Sequence, residues 1–200
     1  MFAEITLAVG TTGWASIATT AAMLYRRRLH TDTLTGLGNR TALHRTARRE
    51  RFTCGLVGLL MVDLDQFKAI NDTHGHPFGN KVLAAVAAQL DDATHPGERA
   101  VRLHGDEFAV WLGPVSGSTA AEHRADQLAE ALAEPIWVDG QRLTALGSVG
   151  LAVAPAATDL AELLGHADAH MYEIKANRRL TVLPTGQAQR NRDTHGGTAA

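Results

Sequence analysis

The stretch GLVGLLMVD, from Gly55 to Asp63, sets eight uncharged, largely apolar residues in a row and then an acid. It is too short for an ordinary helix and lacks the alternation of a strand wetted on one face. Such a run reads as a strand buried on both sides. A strand of that kind needs partners along both edges and helices above and below it, so the chain is expected to build a helix-covered sheet. The acid arrives where the buried strand runs out into solvent.

The flanking segments supply those partners. NRTALHRTARRER from Asn39 and FGNKVLAAVAAQLDD from Phe78 have helical spacing, and DQFKAINDTHG reads as a short helix closed by Gly75. RAVRL and FAVWL flank HGDE as the arms of a tight hairpin. TAAEHRADQLAEALAEP is a helix ending before Pro135. A D-G turn at Asp139-Gly140 separates strand-like runs, and a strand follows through Val153. DLAELLGHADAHMYEIKANRR is a closing helix with its basic residues at the carboxyl end. The fold class is α/β (α+β), with helices on a mostly antiparallel sheet.

Composition narrows the partners. A 45% hydrophobic fraction suffices for a core, and a net charge of −2 supplies no basic field for nucleic acid. Cys54 is the single cysteine, so an intramolecular disulfide and a cysteine zinc cluster are excluded; beside the apolar run it is expected in the core. From Ile5 to Tyr25 there is no charged side chain, and Arg26 to Arg28 follow. At ~1.5 Å rise per residue that run spans a ~30 Å bilayer core. Residues 1–28 are therefore expected to be a single-pass anchor in the cell membrane, with the chain after Arg26 in the cytoplasm. Residues 29–183 form one domain, and 184–200, without apolar periodicity, read as a disordered tail.

Asp63 and Asp65 end the apolar strand, and Asp106 and Glu107 sit at the hairpin. If strand and hairpin are sheet neighbours, these acids converge, and clustered carboxylates call for a cation. Hard oxygen ligands favour Mg2+ or Mn2+ over zinc. Lys68, Lys175 and Arg179 add charge suited to phosphate. Metal-holding acids beside phosphate-binding bases are what phosphoryl or nucleotidyl transfer requires. A calcium loop in DLDQFKAINDTHG fails, because Phe67 and Lys68 stand where that loop needs an oxygen ligand and glycine. His74 and His76, without a cysteine cluster or i, i+4 pairing, read as surface or capping residues. Acid pairs at strand ends are also common as plain solvated turns.

Five segments in register resemble the GGDEF family of diguanylate cyclase domains: DTLTGLGNR from Asp32, VDLDQFKAINDTHGHPFGNKVL from Val62, RLHGDEF from Arg102, GSVGLA from Gly147 and ADAHMYEIKANRR from Ala167. The resemblance implies a palm-like sheet of the nucleotide cyclase type. It implies a Mg2+-dependent homodimer, one GTP per protomer, closing cyclic di-GMP with release of pyrophosphate. Carried to matching positions, Asp63, Asp106 and the Leu64 carbonyl would bind metal, and Asp106 would assist deprotonation of the attacking hydroxyl. Glu107 belongs to the signature with a less defined part. Lys68, Lys175 and Arg179 would meet the triphosphate, and Asn71 the guanine.

This chain departs from the family pattern at His104, which precedes Gly105 and Phe108 in the variant signature. If the first signature position is left-handed, histidine there costs ~1–2 kcal/mol. The imidazole reads as tolerated or partly obstructive, with a helper role in proton transfer as the sharper alternative. Asn80 stands where the family has an aspartate facing guanine; an amide offers both donor and acceptor, so adenine is an option. HPGE, His95 to Glu98, replaces the family's feedback arginine and aspartate, which predicts weak product inhibition. The expected activity is diguanylate cyclase. The alternatives are a catalytically silent nucleotide- or partner-binding module and a mixed cyclic GMP–AMP synthase.

Overall fold

A computed structural model of the protein describes residues 19–20, 25, 29–145 and 147–181, the last five by backbone alone. The apolar run forms β2 (Leu56–Leu64), which lies antiparallel between β4 (Glu107–Val115) and β7 (Gly147–Pro155). β3 (Arg99–His104) pairs antiparallel with β4, and the short β1 (Gly38–Asn39) pairs parallel with β3. The sheet order is β1-β3-β4-β2-β7. A separate hairpin, β5 (Ile136–Val138) and β6 (Gln141–Leu143), turns at Asp139-Gly140, where both residues have positive φ as a D-G hairpin turn favours.

Among the described residues five helices accompany the sheet: α1 (Arg40–Glu50), α2 (Phe67–His74), α3 (His76–Ala93), α4 (Ser118–Ala133) and α5 (Leu160–Thr181). Leu60, Val62 and Leu64 pack with Val82, Val86 and Leu90 of α3 and Leu128 and Leu132 of α4. Leu59 and Met61 point the other way, to Leu43 of α1 and Leu163 and Ala167 of α5. Both faces of β2 are therefore dry, which is why its sequence does not alternate. Each fully buried Leu or Val contributes ~1.5–3 kcal/mol to that sandwich.

Local chemistry sets the helix ends. The Asn39 side chain accepts the Ala42 N–H at 3.1 Å and caps α1. Gly75 ends α2 and starts α3, with Pro77 in the first turn of α3. α5 lies so close to β7 that a Cβ at Gly150 would stand 2.2 Å from the Ala167 carbonyl and 2.4 Å from the Met171 nitrogen. His170 of α5 reaches the outer edge of β7, where its Nδ1 accepts the Leu151 N–H at 3.0 Å.

One expectation changes, and two fall on residues outside the described part. Cys54 is exposed, because it falls in the turn between α1 and β2, ahead of the first strand residue. The proposed membrane span, Ile5 to Tyr25, lies outside the described residues except for Thr19, Thr20 and Tyr25; among the described residues no helix is long and apolar enough to cross a membrane. Residues 182–200, read as a tail, also lie outside the described part.

Candidate active site

The acids meet through strand register. Asp63 of β2 is directly opposite Glu107 of β4, and the Leu64 N–H donates to the Asp106 carbonyl at 3.4 Å. That bond pattern makes Asp63 and Glu107 a non-hydrogen-bonded pair, the kind whose side chains approach most closely. Glu107 in turn faces His104 on β3, and Asp63 faces Ser148 on β7. One end of the sheet thus carries a cross-strand row of His104, Glu107, Asp63 and Ser148. Glu107, Asp63 and Ser148 share parity with Ala109, Met61 and Ala152, which belong to the α5 side.

Two like charges opposite each other repel. The row meets this with a cation: Lys175 Nζ from α5 contacts Asp63 Oδ1 and lies 3.7 Å from Asp65 Oδ1; beside it, His104 Nδ1 lies 3.6 Å from Glu107 Oε2. Ser148, fully buried, donates its hydroxyl to Asp65 Oδ1 at 2.9 Å.

The signature turn is anchored from both ends. Phe108 is 0% exposed and holds β4 in the core. Arg102 Nε and Nη2 donate to the Gly105 carbonyl at 2.9 and 2.7 Å, and its Nη1 donates to Asp32 Oδ1 at 3.2 Å. Burial would raise the Asp32 carboxyl, but hydrogen bonds from the Thr35 hydroxyl and N–H and from Arg102, with the Arg102 charge, hold it below its ordinary value. Arg102 therefore ties the DTLTG segment to the hairpin.

The expected strain at His104 is overturned. The positive φ in this turn belongs to Gly105, at 54°, and His104 is the last residue of β3. A register shift between Arg102 and His104 brings the histidine opposite Glu107, its side chain 81% exposed. It extends from the row into solvent at no backbone cost.

The remaining candidates sit around this row. Lys68 is exposed in the first turn of α2. Asn71 lies on α2 and Asn80, exposed, on α3. The two helices close on each other because Gly79 has no Cβ; one there would stand 1.9 Å from Asn71 Oδ1. Leu64 is buried and in register with Gly147. Arg179 falls four residues beyond Lys175 on α5, one turn along the same face, with its backbone alone described. Glu98 of the HPGE segment is taken by Arg124 in a two-bonded ion pair, both contacts 2.7 Å, and also accepts the His95 N–H. Burial would raise Glu98, but Arg124 and that N–H bring it below the ordinary carboxylate range. A separate cleft of about 590 Å³, lined in part by Arg45, Arg49 and Arg99, opens between α1 and β3 and includes none of the row.

Among the described residues no three His, Cys, Asp or Glu side chains are grouped as a metal cage. The donor set still fits Mg2+ or Mn2+. Such an ion commonly takes one or two carboxylates and fills its shell from water and substrate phosphates. Asp63 on β2, with Asp106 or Glu107 from the adjoining hairpin, supplies that number, and the Lys175 ammonium already sits against Asp63 as a cation would.

Arg102, Ser148 and Gly150 were not singled out by sequence. A serine and a glycine in a strand signal nothing until the neighbour above them is known.

The family model described as "Diguanylate cyclase, GGDEF domain" matches residues 29–181. Among curated relatives, the diguanylate cyclase TpbB of Pseudomonas aeruginosa is 34% identical over 164 residues, covering 77% of this chain and 38% of that protein. The cyclic di-GMP phosphodiesterase NbdA of the same organism is 32% identical over 178 residues, 82% of this chain and 23% of that protein. This chain spans well under half the length of either. The solved GGDEF domain of TpbB superposes with a TM-score of 0.67 at 34% identity, covering 74% of this chain and 90% of the domain.

Proposed function

This chain belongs to the GGDEF domain family, and on that premise we propose that it is a diguanylate cyclase that joins two GTP molecules into cyclic di-GMP and releases pyrophosphate. The single observation that carries the reading is the register of Asp63 opposite Glu107, with Asp106 beside Leu64 and Lys175 overhead. Asp63 and Asp106 are assigned to a divalent ion, Mg2+ or Mn2+, with the Leu64 carbonyl as a further oxygen. When bound, the ion neutralises phosphate charge and polarises the α-phosphorus.

The chain's own groups do the rest. Asp106 accepts the proton of the attacking 3′-hydroxyl, directly or through water. Lys175 and Lys68, with Arg179 one turn further on, hold the triphosphate, whose β- and γ-phosphates leave as pyrophosphate when the bond to the α-phosphorus breaks. Asn71 and Asn80 face the base. Because each hydroxyl attacks the other nucleotide, two protomers work face to face, and we assign the working form to a homodimer. The segment from Ile5 to Tyr25 is proposed to tether it to the membrane.

A second reading is supported by His104 and Asn80. An exposed imidazole beside Glu107 at the turn suits a silent module that holds nucleotide without turnover. The identity to NbdA fits the same domain in another setting. One assay separates the readings: the chain with Mg2+ and equal GTP and ATP, products identified by mass spectrometry, beside Asp106→Ala. Cyclic di-GMP from the parent and a loss of at least about a hundredfold in the variant are expected. Binding without product establishes the silent module, and a GMP–AMP ring assigns Asn80 to adenine.

A further inference from the structure

Lys175 stands between two acids, yet one carboxylate would satisfy its charge. Its Nζ contacts Asp63 and is 3.7 Å from Asp65, and the three side chains are between 20% and 24% exposed. The Asp65 oxygen nearest the lysine is the one that accepts from Ser148 at 2.9 Å. Ser148 is 0% exposed, so its hydroxyl has no water to turn to and its hydrogen is committed to that carboxylate. Asp65 follows the last paired residue of β2, where the ladder no longer orients a side chain. The serine does the orienting instead, from the strand position opposite Asp63.

We propose that Asp65 and Ser148 are positioning residues that retain the Lys175 ammonium in the site once Asp63 is engaged by a divalent cation. This rests on the function proposed above. Asp63 cannot serve a dication and an ammonium equally, because the two cations repel. A lysine that loses its only anchor swings out on a flexible four-carbon stem. Here the second acid is already within reach and already fixed. Lys175 shifts its weight from Asp63 to Asp65 and remains where the triphosphate charge arrives. The spacing Asp-x-Asp then has a division of labour: the first acid for the ion, the second for the lysine.

The test follows the lysine and not the reaction. Limited acetylation of the nucleotide-free chain, read site by site by mass spectrometry, compares Lys175 with the exposed Lys68. Asp63→Ala stands in for an engaged Asp63. It is expected to leave Lys175 protected, within about twofold of the parent. Adding Ser148→Ala or Asp65→Asn is expected to raise labelling at Lys175 roughly tenfold, the worth of a charge-assisted hydrogen bond, with Lys68 unchanged. Asp65→Asn, at a partly exposed position, carries the test if the buried serine variant does not fold. Full labelling of Lys175 in Asp63→Ala alone, or no added effect of Asp65→Asn, overturns the proposal. No nucleotide enters this experiment, so its outcome is separate from that of the cyclase assay.

Discussion

Gln66 turns the chain out of β2 and into α2 with φ 60° and ψ 22°, a left-handed conformation that a long side chain adopts at a cost. Its carbonyl accepts the N–H groups of Ala69 and Ile70, so the geometry is held by the helix it starts. Asparagine visits this region more readily, and Gln66→Asn is expected to stabilise the protein by about 0.5 kcal/mol. A melting temperature one to two degrees higher, roughly, would register it; a lower one contradicts the strain. Asp32 makes a second residue-scale prediction. Its folded-state pKa is depressed below the ordinary 3.8 despite burial, chiefly through Thr35 and Arg102. A depressed carboxylate stabilises the fold above its unfolded pKa, and that contribution is lost as pH falls through the folded value. Urea unfolding between about pH 3 and pH 6 should therefore show stability falling at the acid end, and Asp32→Asn should flatten that fall. Single residues were the least legible part of the sequence. Cys54 sits two positions ahead of β2 and His104 is the last residue of β3, and those placements decide burial in one case and backbone strain in the other. Ser148 is an ordinary strand residue until Asp65 is found above it.

The helix α5 delivers Lys175 to the acids, and its height above the sheet is set by Gly150. A Cβ there meets backbone at both nearest points, the Ala167 carbonyl and the Met171 nitrogen, and backbone yields only if the whole helix moves. Lys175 is one turn beyond Met171, so the same displacement carries its ammonium off Asp63. Gly150→Ala should cost about 2 kcal/mol of stability, as overpacking does, and should lower nucleotide turnover more than that loss explains. Denaturation and kinetics on the same sample check this; full turnover in a destabilised variant would show that α5 height is irrelevant to the site. Elements were more legible than residues because their signals are periodic or chemical. The apolar run announced β2, Gly75 the break between α2 and α3, and Asp139-Gly140 the hairpin turn. What stayed hidden was β1, two residues long and paired in parallel to β3, since a pair that short has no pattern to read. The acids of two segments were foreseen as neighbours, but their register was not, and register is what sets Asp63 against Glu107.

The whole molecule arranges one sheet so that its centre is dry and one end is charged. Helices on both faces secure β2, β4 and β7, and the ends of those strands present the row from Glu107 to Ser148 as a rigid edge. A single edge of this kind holds one nucleotide in the proposed reaction, and two edges must face each other. The rate per protomer is therefore expected to rise with protein concentration until the dimer is saturated, and a flat specific activity over a hundredfold dilution, roughly the range that separates bound from free partners, contradicts the paired arrangement. The membrane segment, if it tethers the chain as proposed, raises the local concentration to the same end. The central claim is that Asp63 and Asp106, brought to one end of the sheet by the pairing of Asp63 with Glu107, hold one divalent ion. Mn2+ added with a non-hydrolysable GTP analogue broadens the NMR signals of nearby nuclei, and this reads the ion's position directly. The expected result is broadening centred on Leu64, Asp106 and Glu107, abolished in Asp63→Ala. Broadening centred instead on the Arg45–Arg49 cleft, or unchanged by Asp63→Ala, would contradict the account.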